Sequence, residues 1–294
     1  MYFDICLQER SDKYSDYSPH FCGEYLSFSP HAISGSAHFS QKKHNLQTGY
    51  PLSDVTGIGL TLPCCSASAL KAPHPALSRL ATTYRSSGDA VVAEGMSAYM
   101  KGLFPFAGIK KPQRAELSKP FFTELKNLDA DTMRASVRWL WKQPEREFQY
   151  FAMELLWKNK KAWEDTYLEL FEELVESKSW WDTVDFIAAT LVGHFLTKHP
   201  KRIATTTKAW CASGNLWLNR TAILFQLKYK DKTDFALLQR LIEPHRGSKE
   251  FFHQKAIGWS LRQYAYTDPK AVVAYVKRTE LKPLSRREAM KHLG

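Results

Sequence analysis

Residues 179–185 read SWWDTVD, residues 215–222 NLWLNRTA and residues 249–262 KEFFHQKAIGWSLR. Laying Trp181 on Trp217 takes a step of 36 residues, and Trp217 on Phe252 a step of 35. Asp185 then falls in register with Thr221 and Ala256, with Arg220 one residue earlier. Four aromatic-led segments share this spacing: 145–157, 179–195, 215–229 and 249–264. A repeat of this length holds one supersecondary unit, too small to bury its own apolar face.

Outward from these segments, the chain from His74 onward is helical in pattern. Apolar residues recur at three- and four-residue spacing, as in Leu77, Leu80, Ala81 and Tyr84, or Phe151, Leu155 and Leu156. Stops and starts are frequent: Ser87-Gly88, Lys111-Pro112, Gln143-Pro144, His199-Pro200, Ser213-Gly214 and Asp268-Pro269. No alternating strand pattern of any length follows residue 74. Two helices per 35–40 residues predict an all-α, right-handed solenoid of HEAT-like repeats, an α-α superhelix. Residues at matching positions of successive units would then line one side of a curved groove.

Residues 1–73 differ in kind. They hold four of the five cysteines (Cys6, Cys22, Cys64, Cys65, Cys211), no tryptophan, and no sustained period. Five Lys+Arg and six Asp+Glu give them a net charge of −1, so the remaining 36 and 24 give residues 74–294 a net of +12. Residues 1–73 read as a disordered or spurious N-terminal extension, and 74–294 as the repeat domain. The cysteines have no CxxC spacing and no paired histidines, so neither a metal site nor a cofactor is expected. No apolar run approaches eighteen residues and no basic-apolar leader opens the chain, so a soluble, cytoplasmic protein with no membrane partner is expected. A net charge of +11 and a pI near 9.3 favour a polyanionic partner, a ligand-free basic surface being the bland alternative.

The residues with chemistry cluster in the repeats. On a helix, Trp181 and Asp185 are i and i+4 and share a face. Asp182 reads as a first-turn charge favoured by unpaired N–H groups. Asp185 alone would read as a surface or capping carboxylate. Arg220 lies among Leu216, Leu218, Ala222 and Leu224, where a guanidinium needs an inward carboxylate or an anion in the groove. Trp259 and Arg262, three apart, are close on one helix face.

These strings, with LSRREAMKH (284–292), AYMKGLFPFAGIKKPQR (98–114) and PEREFQYFAMELL (144–156), resemble the AlkD family of DNA alkylation-repair glycosylases. The likeness runs from about residue 74 to the end. It implies a catalytic carboxylate at Asp185, site tryptophans at Trp181 and Trp259, and an accompanying arginine at Arg220. Tyr99 matches a tyrosine that approaches DNA, and Arg262 falls on the last matching groove helix. Lys255 and Trp217 are placed beside them as DNA-binding residues.

The implied reaction is hydrolysis of the N-glycosidic bond of cationic N3- or N7-alkylated purines, such as 3-methyladenine and 7-methylguanine, in duplex DNA. Departure of such a base builds oxocarbenium character at C1′. Asp185 would stabilise it, the two indoles would face the sugar, and Arg220 would hold a flanking phosphate. The resemblance implies an enzyme that needs no deep base-flipping pocket; a monofunctional N-glycosylase is expected, and a monomer, as solenoids of this kind often are. The rival reading is a non-catalytic repeat scaffold binding DNA or a protein partner, which has no need to assemble Trp181, Asp185, Arg220 and Trp259.

Overall fold

The computed structural model describes residues 72–293, so the expectation for residues 1–73 lies almost wholly outside the described residues. The described residues are all-helical, with no strand. In chain order the helices are α1 (Ala76–Ser86), α2 (Ala90–Tyr99), α3 (Lys111–Glu124), α4 (Ala130–Lys142), α5 (Arg146–Lys158), α6 (Tyr167–Glu176) and α7 (Trp181–Phe186). There follow α8 (Gly193–Lys198), α9 (Pro200–Ala212), α10 (Leu216–Leu224), α11 (Phe235–Ile242), α12 (Phe251–Ala265), α13 (Pro269–Arg278) and α14 (Pro283–Met290).

The boundaries follow local chemistry. Asp89, Asp129, Asp234 and Asp268 each cap a helix by accepting an N–H from the third residue onward, and Asn215 caps α10 twice over. Proline opens α9, α13 and α14, where its missing N–H would have had no partner. Between α7 and α8 the helix does not stop: Ile187–Val192 winds as π-helix, so Trp181 to Lys198 is one run.

Two helix pairs, α4–α5 and α9–α10, are closed by the same fitting. The Gln149 side-chain amide donates to the carbonyls of Leu140, Trp141 and Gln143 (3.3, 3.1 and 3.0 Å). Asn219 donates to those of Trp210, Cys211 and Ser213 (2.6, 3.5 and 3.1 Å). The offsets, nine, eight and six residues back, are identical. One amide thus satisfies carbonyls that the end of the preceding helix leaves open. A second fitting recurs as well: Arg146 donates to the Lys178 carbonyl and Arg220 to the Phe252 carbonyl, each 32 residues downstream. The amide fitting recurs after 70 residues and the guanidinium fitting after 74.

Apolar residues of α1 to α10, among them Leu77, Phe148, Phe151, Phe171, Phe195 and Phe225, form one buried cluster. A second gathers Ile223, Leu224, Ile257, Leu261, Val272 and Tyr275 around α12 and α13. Each fully buried side chain of this size contributes roughly 1.5–3 kcal/mol.

One loop is fixed by a buried carboxylate. Glu147 accepts the backbone N–H groups of Ala107, Gly108 and Ile109 at 3.0, 2.9 and 3.1 Å. Gly108 has φ +87°, and a Cβ there would lie 1.9 Å from the Asp89 carbonyl oxygen. Gly108→Ala should therefore cost at least about 1–3 kcal/mol from backbone strain alone, with the clash added. Urea denaturation checks it, and an unchanged midpoint would refute this account of the loop.

Candidate active site

Helix α7 positions the carboxylates. Trp180 is extended and serves as its N-cap residue, so the chain turns sharply into the helix. Trp181 and Asp185 stand one turn apart, as the spacing requires, with Trp181 partly buried and Asp185 7% exposed. The Tyr99 ring, 44% exposed at the end of α2, meets Trp181 edge-on, with centroids 6.1 Å apart. Repeats far apart in sequence thus deliver Tyr99, Trp181 and Asp185 to one place.

Arg220 grips Asp185 through both ends of its fork, Nε to Oδ1 at 2.7 Å and Nη2 to Oδ2 at 2.9 Å. Its Nη1 donates to the Phe252 carbonyl at 2.6 Å. The guanidinium is 4% exposed and turned inward. Of the two partners its apolar helix allowed, the structure supplies the inward carboxylate. Burial pushes the Asp185 carboxyl above its ordinary value; Arg220 opposes the rise and neighbouring Asp182 adds to it.

Asp182 stands in the first turn, as read, but its charge does more than favour the helix end. It is buried against Arg146, with Nε to Oδ2 at 2.9 Å and Nη2 to Oδ1 at 2.7 Å, and it accepts the Tyr150 hydroxyl at 2.7 Å. Sequence reasoning missed Arg146 and Tyr150. The signal was the period itself, because Arg146 lies 36 residues before Asp182, one repeat away.

Trp217 belongs to an aromatic knot beside the ion pair. Its ring lies 5.7 Å from Trp180 and 4.9 Å from Phe252, and the Arg220 guanidinium sits 5.7 Å above Phe252. Trp259, on α12, is partly buried against the second core cluster, which includes Ala188 and Ala189 just beyond α7.

Lys255 and Arg262 were expected to meet DNA. Lys255 instead donates to Glu288 Oε1 at 3.0 Å and Arg262 to Oε2 at 2.8 Å, so both turn toward α14. Arg262 is 6% exposed. The reason is close approach: a Cβ on Gly258 would lie 2.4 Å from Glu288 Cβ, so α12 and α14 touch at that glycine. Sequence spacing set Trp259 and Arg262 on one helix face but did not say which neighbour it meets. Burial pushes the Glu288 carboxyl up, and Lys255 and Arg262 more than offset this, leaving it below 4.5.

A carboxyl lowered on folding lends stability that is complete above 4.5 and lost as pH falls through its folded value. Relative to the intrinsic rate at each pH and to a neighbouring helix, hydrogen exchange in residues 283–290 should therefore quicken as pH falls from about 4.5. Glu288→Gln should quicken it already at neutral pH. Equal protection in the two proteins would overturn the account.

Among the described residues no three His, Cys, Asp or Glu side chains gather as a metal site would need. No described helix is long and apolar enough to cross a membrane.

The all-helical fold and the buried Asp185–Arg220 pair, one helical turn from the Tyr99–Trp181 contact, define a helical protein with a built polar site. The family model for DNA alkylation repair enzymes matches residues 80–293, and the chain belongs to that family. A solved structure described as a "predicted DNA alkylation repair enzyme" from Enterococcus faecalis is similar, with 36% identity and a TM-score of 0.67. The match covers 70% of this chain and 97% of that one. Among curated proteins none matches. The family gives the chain a role in repair of alkylated DNA, with DNA as its partner.

Proposed function

We propose that the protein is a monofunctional DNA N-glycosylase that releases N3- and N7-alkylated purines from duplex DNA. It would act as a monomer, from a right-handed solenoid of HEAT-like repeats. The observation that carries this reading is the Asp185 carboxylate, fixed bidentately by Arg220 one helical turn from the Tyr99–Trp181 aromatic pair.

An alkylated purine already bears positive charge and leaves as a neutral base, taking the electrons of the C1′–N bond. The sugar then carries the charge. Asp185, held ionised by Arg220, faces that charge across a short gap and stabilises it, and water adds to C1′ and gives up a proton. Trp181 and Trp259 offer π faces to the same cation, and Tyr99 braces Trp181. Arg220 serves as the holder of Asp185 and leaves the phosphates to other cations. Trp217 stiffens the wall behind it. Lys255 and Arg262 hold α14 through Glu288, and attraction for DNA falls to the exposed cations. No deep pocket for a flipped base enters the scheme, so the lability of the lesion decides what is released.

The experiment is release of 7-methylguanine from duplex DNA. Wild type should exceed the spontaneous rate. Asp185→Asn should lose on the order of a hundredfold or more, and Trp259→Ala should also fall. The working form of Asp185 is ionised and its folded value lies above 3.8, so the rate should fall as pH drops through that raised value. DNA binding with no release by wild type would support the scaffold reading. Efficient excision of uracil or 1,N6-ethenoadenine would sink the proposed lesion class.

A further inference from the structure

Two carboxylates three residues apart on α7 are served unequally. Asp182 takes three donors, two from Arg146 and one from Tyr150, and its side chain is 1% exposed. Asp185 takes two, both from Arg220, and its side chain is 10% exposed. An ionised carboxylate offers about four acceptor positions. Asp182 is nearly saturated, whereas Asp185 keeps acceptor capacity and an opening to solvent.

The saturated carboxylate is also the better anchored. Arg146 sits 3.8 Å over the Phe104 ring and donates further to the Lys178 carbonyl and the Thr183 hydroxyl, at 2.8 and 2.9 Å. The Tyr150 ring lies under the Arg114 guanidinium, 5.3 Å away, and Arg114 pairs with Glu154. α7 is therefore tied to α3 and α5 through Asp182, and to α10 and α12 through Asp185.

We propose that Asp182, clamped by Arg146 and Tyr150, is a positioning residue that holds Asp185 and Trp181 in register and biases the Asp185 carboxylate electrostatically. The inference rests on the glycosylase reading for its catalytic consequence. Asp185 is faced by Asp182 on its own helix and by Arg220 from α10; Arg146 and Tyr150, from α5, reach Asp182, and His253, on α12, feels the charge of Arg220. Asp182 is the negative neighbour in this set, and it pushes the Asp185 carboxyl up.

The test compares wild type, Asp182→Asn and Tyr150→Phe by two readouts. One is the pH dependence of 7-methylguanine release from duplex DNA. The other is the carbon-13 titration of the Asp185 carboxyl, assigned with Asp185→Asn. Asp182→Asn should move both the acid limb and the titration midpoint to lower pH, with a rate loss of up to about a hundredfold from misplacement. Tyr150→Phe, which keeps the Arg146 bridge, exposes more of the Asp182 charge and should move both to higher pH. A rate loss equal at every pH, with both midpoints unmoved, makes Asp182 merely structural and overturns the proposal. If Asp182→Asn does not fold, Tyr150→Phe decides alone, and unmoved midpoints overturn it. If wild type releases no base while the titration still shifts, the glycosylase reading falls and the coupling of the two carboxylates stands.

Discussion

Two guanidinium–carboxylate pairs, Arg146–Asp182 and Arg220–Asp185, grip the opening turns of α7 from opposite neighbours, and both are buried. Charges taken out of water are tolerated only when their partners meet them in good geometry. Removing one member of such a pair typically costs about 3–5 kcal/mol because the other is left bare. Rotation or sliding of α7 would open one pair or the other. The helix is thus held in one register by the penalty for leaving it. Everything assigned to the site depends on that register: the meeting of Trp181 with Tyr99, the exposure left to Asp185, and the seating of Arg220 on the Phe252 carbonyl.

The helical class and the period were legible because they are properties of single segments and their spacing. Leu77, Leu80 and Tyr84 mark one buried face, whereas Trp181 is the first residue of α7 and Trp217 and Phe252 are the second residues of α10 and α12, so the aromatic register is one residue out. Trp181 and Asp185 share a face because backbone geometry alone decides it. Partner choice was not legible. Whether Arg220 meets a phosphate or a carboxylate depends on which helix packs against α10, and 35 residues separate it from Asp185. The same holds for Lys255 and Arg262, whose partner Glu288 lies 33 and 26 residues downstream. The Glu147 clamp on three backbone N–H groups left no trace in composition.

The basic excess is likewise divided in a way that a net charge cannot express. Arg114, Arg146, Arg220 and Arg262 are buried in internal pairs, where they hold helices together. Attraction for a polyanion falls to the exposed cations, which are screened by salt while the buried pairs are largely spared. Ionic strength should thus separate two uses of one residue type: adhesion to DNA weakens while the architecture persists.

The π segment Ile187–Val192 splits α7 from α8 without ending the helix, and Gly193 follows it, where a Cβ would lie 2.5 Å from the Phe225 carbonyl oxygen. A π turn takes up an extra residue within a helical run. The half with Trp181 and Asp185 is therefore out of phase with the half that locks into the core through Gly193, whose carbonyl accepts the Tyr229 hydroxyl. The run behaves as a splice between two helices with independent azimuths. Gaining or losing one residue at the splice would re-aim α7 while α8 stayed in place, and the Arg146 and Arg220 pairs would have to be rebuilt to follow.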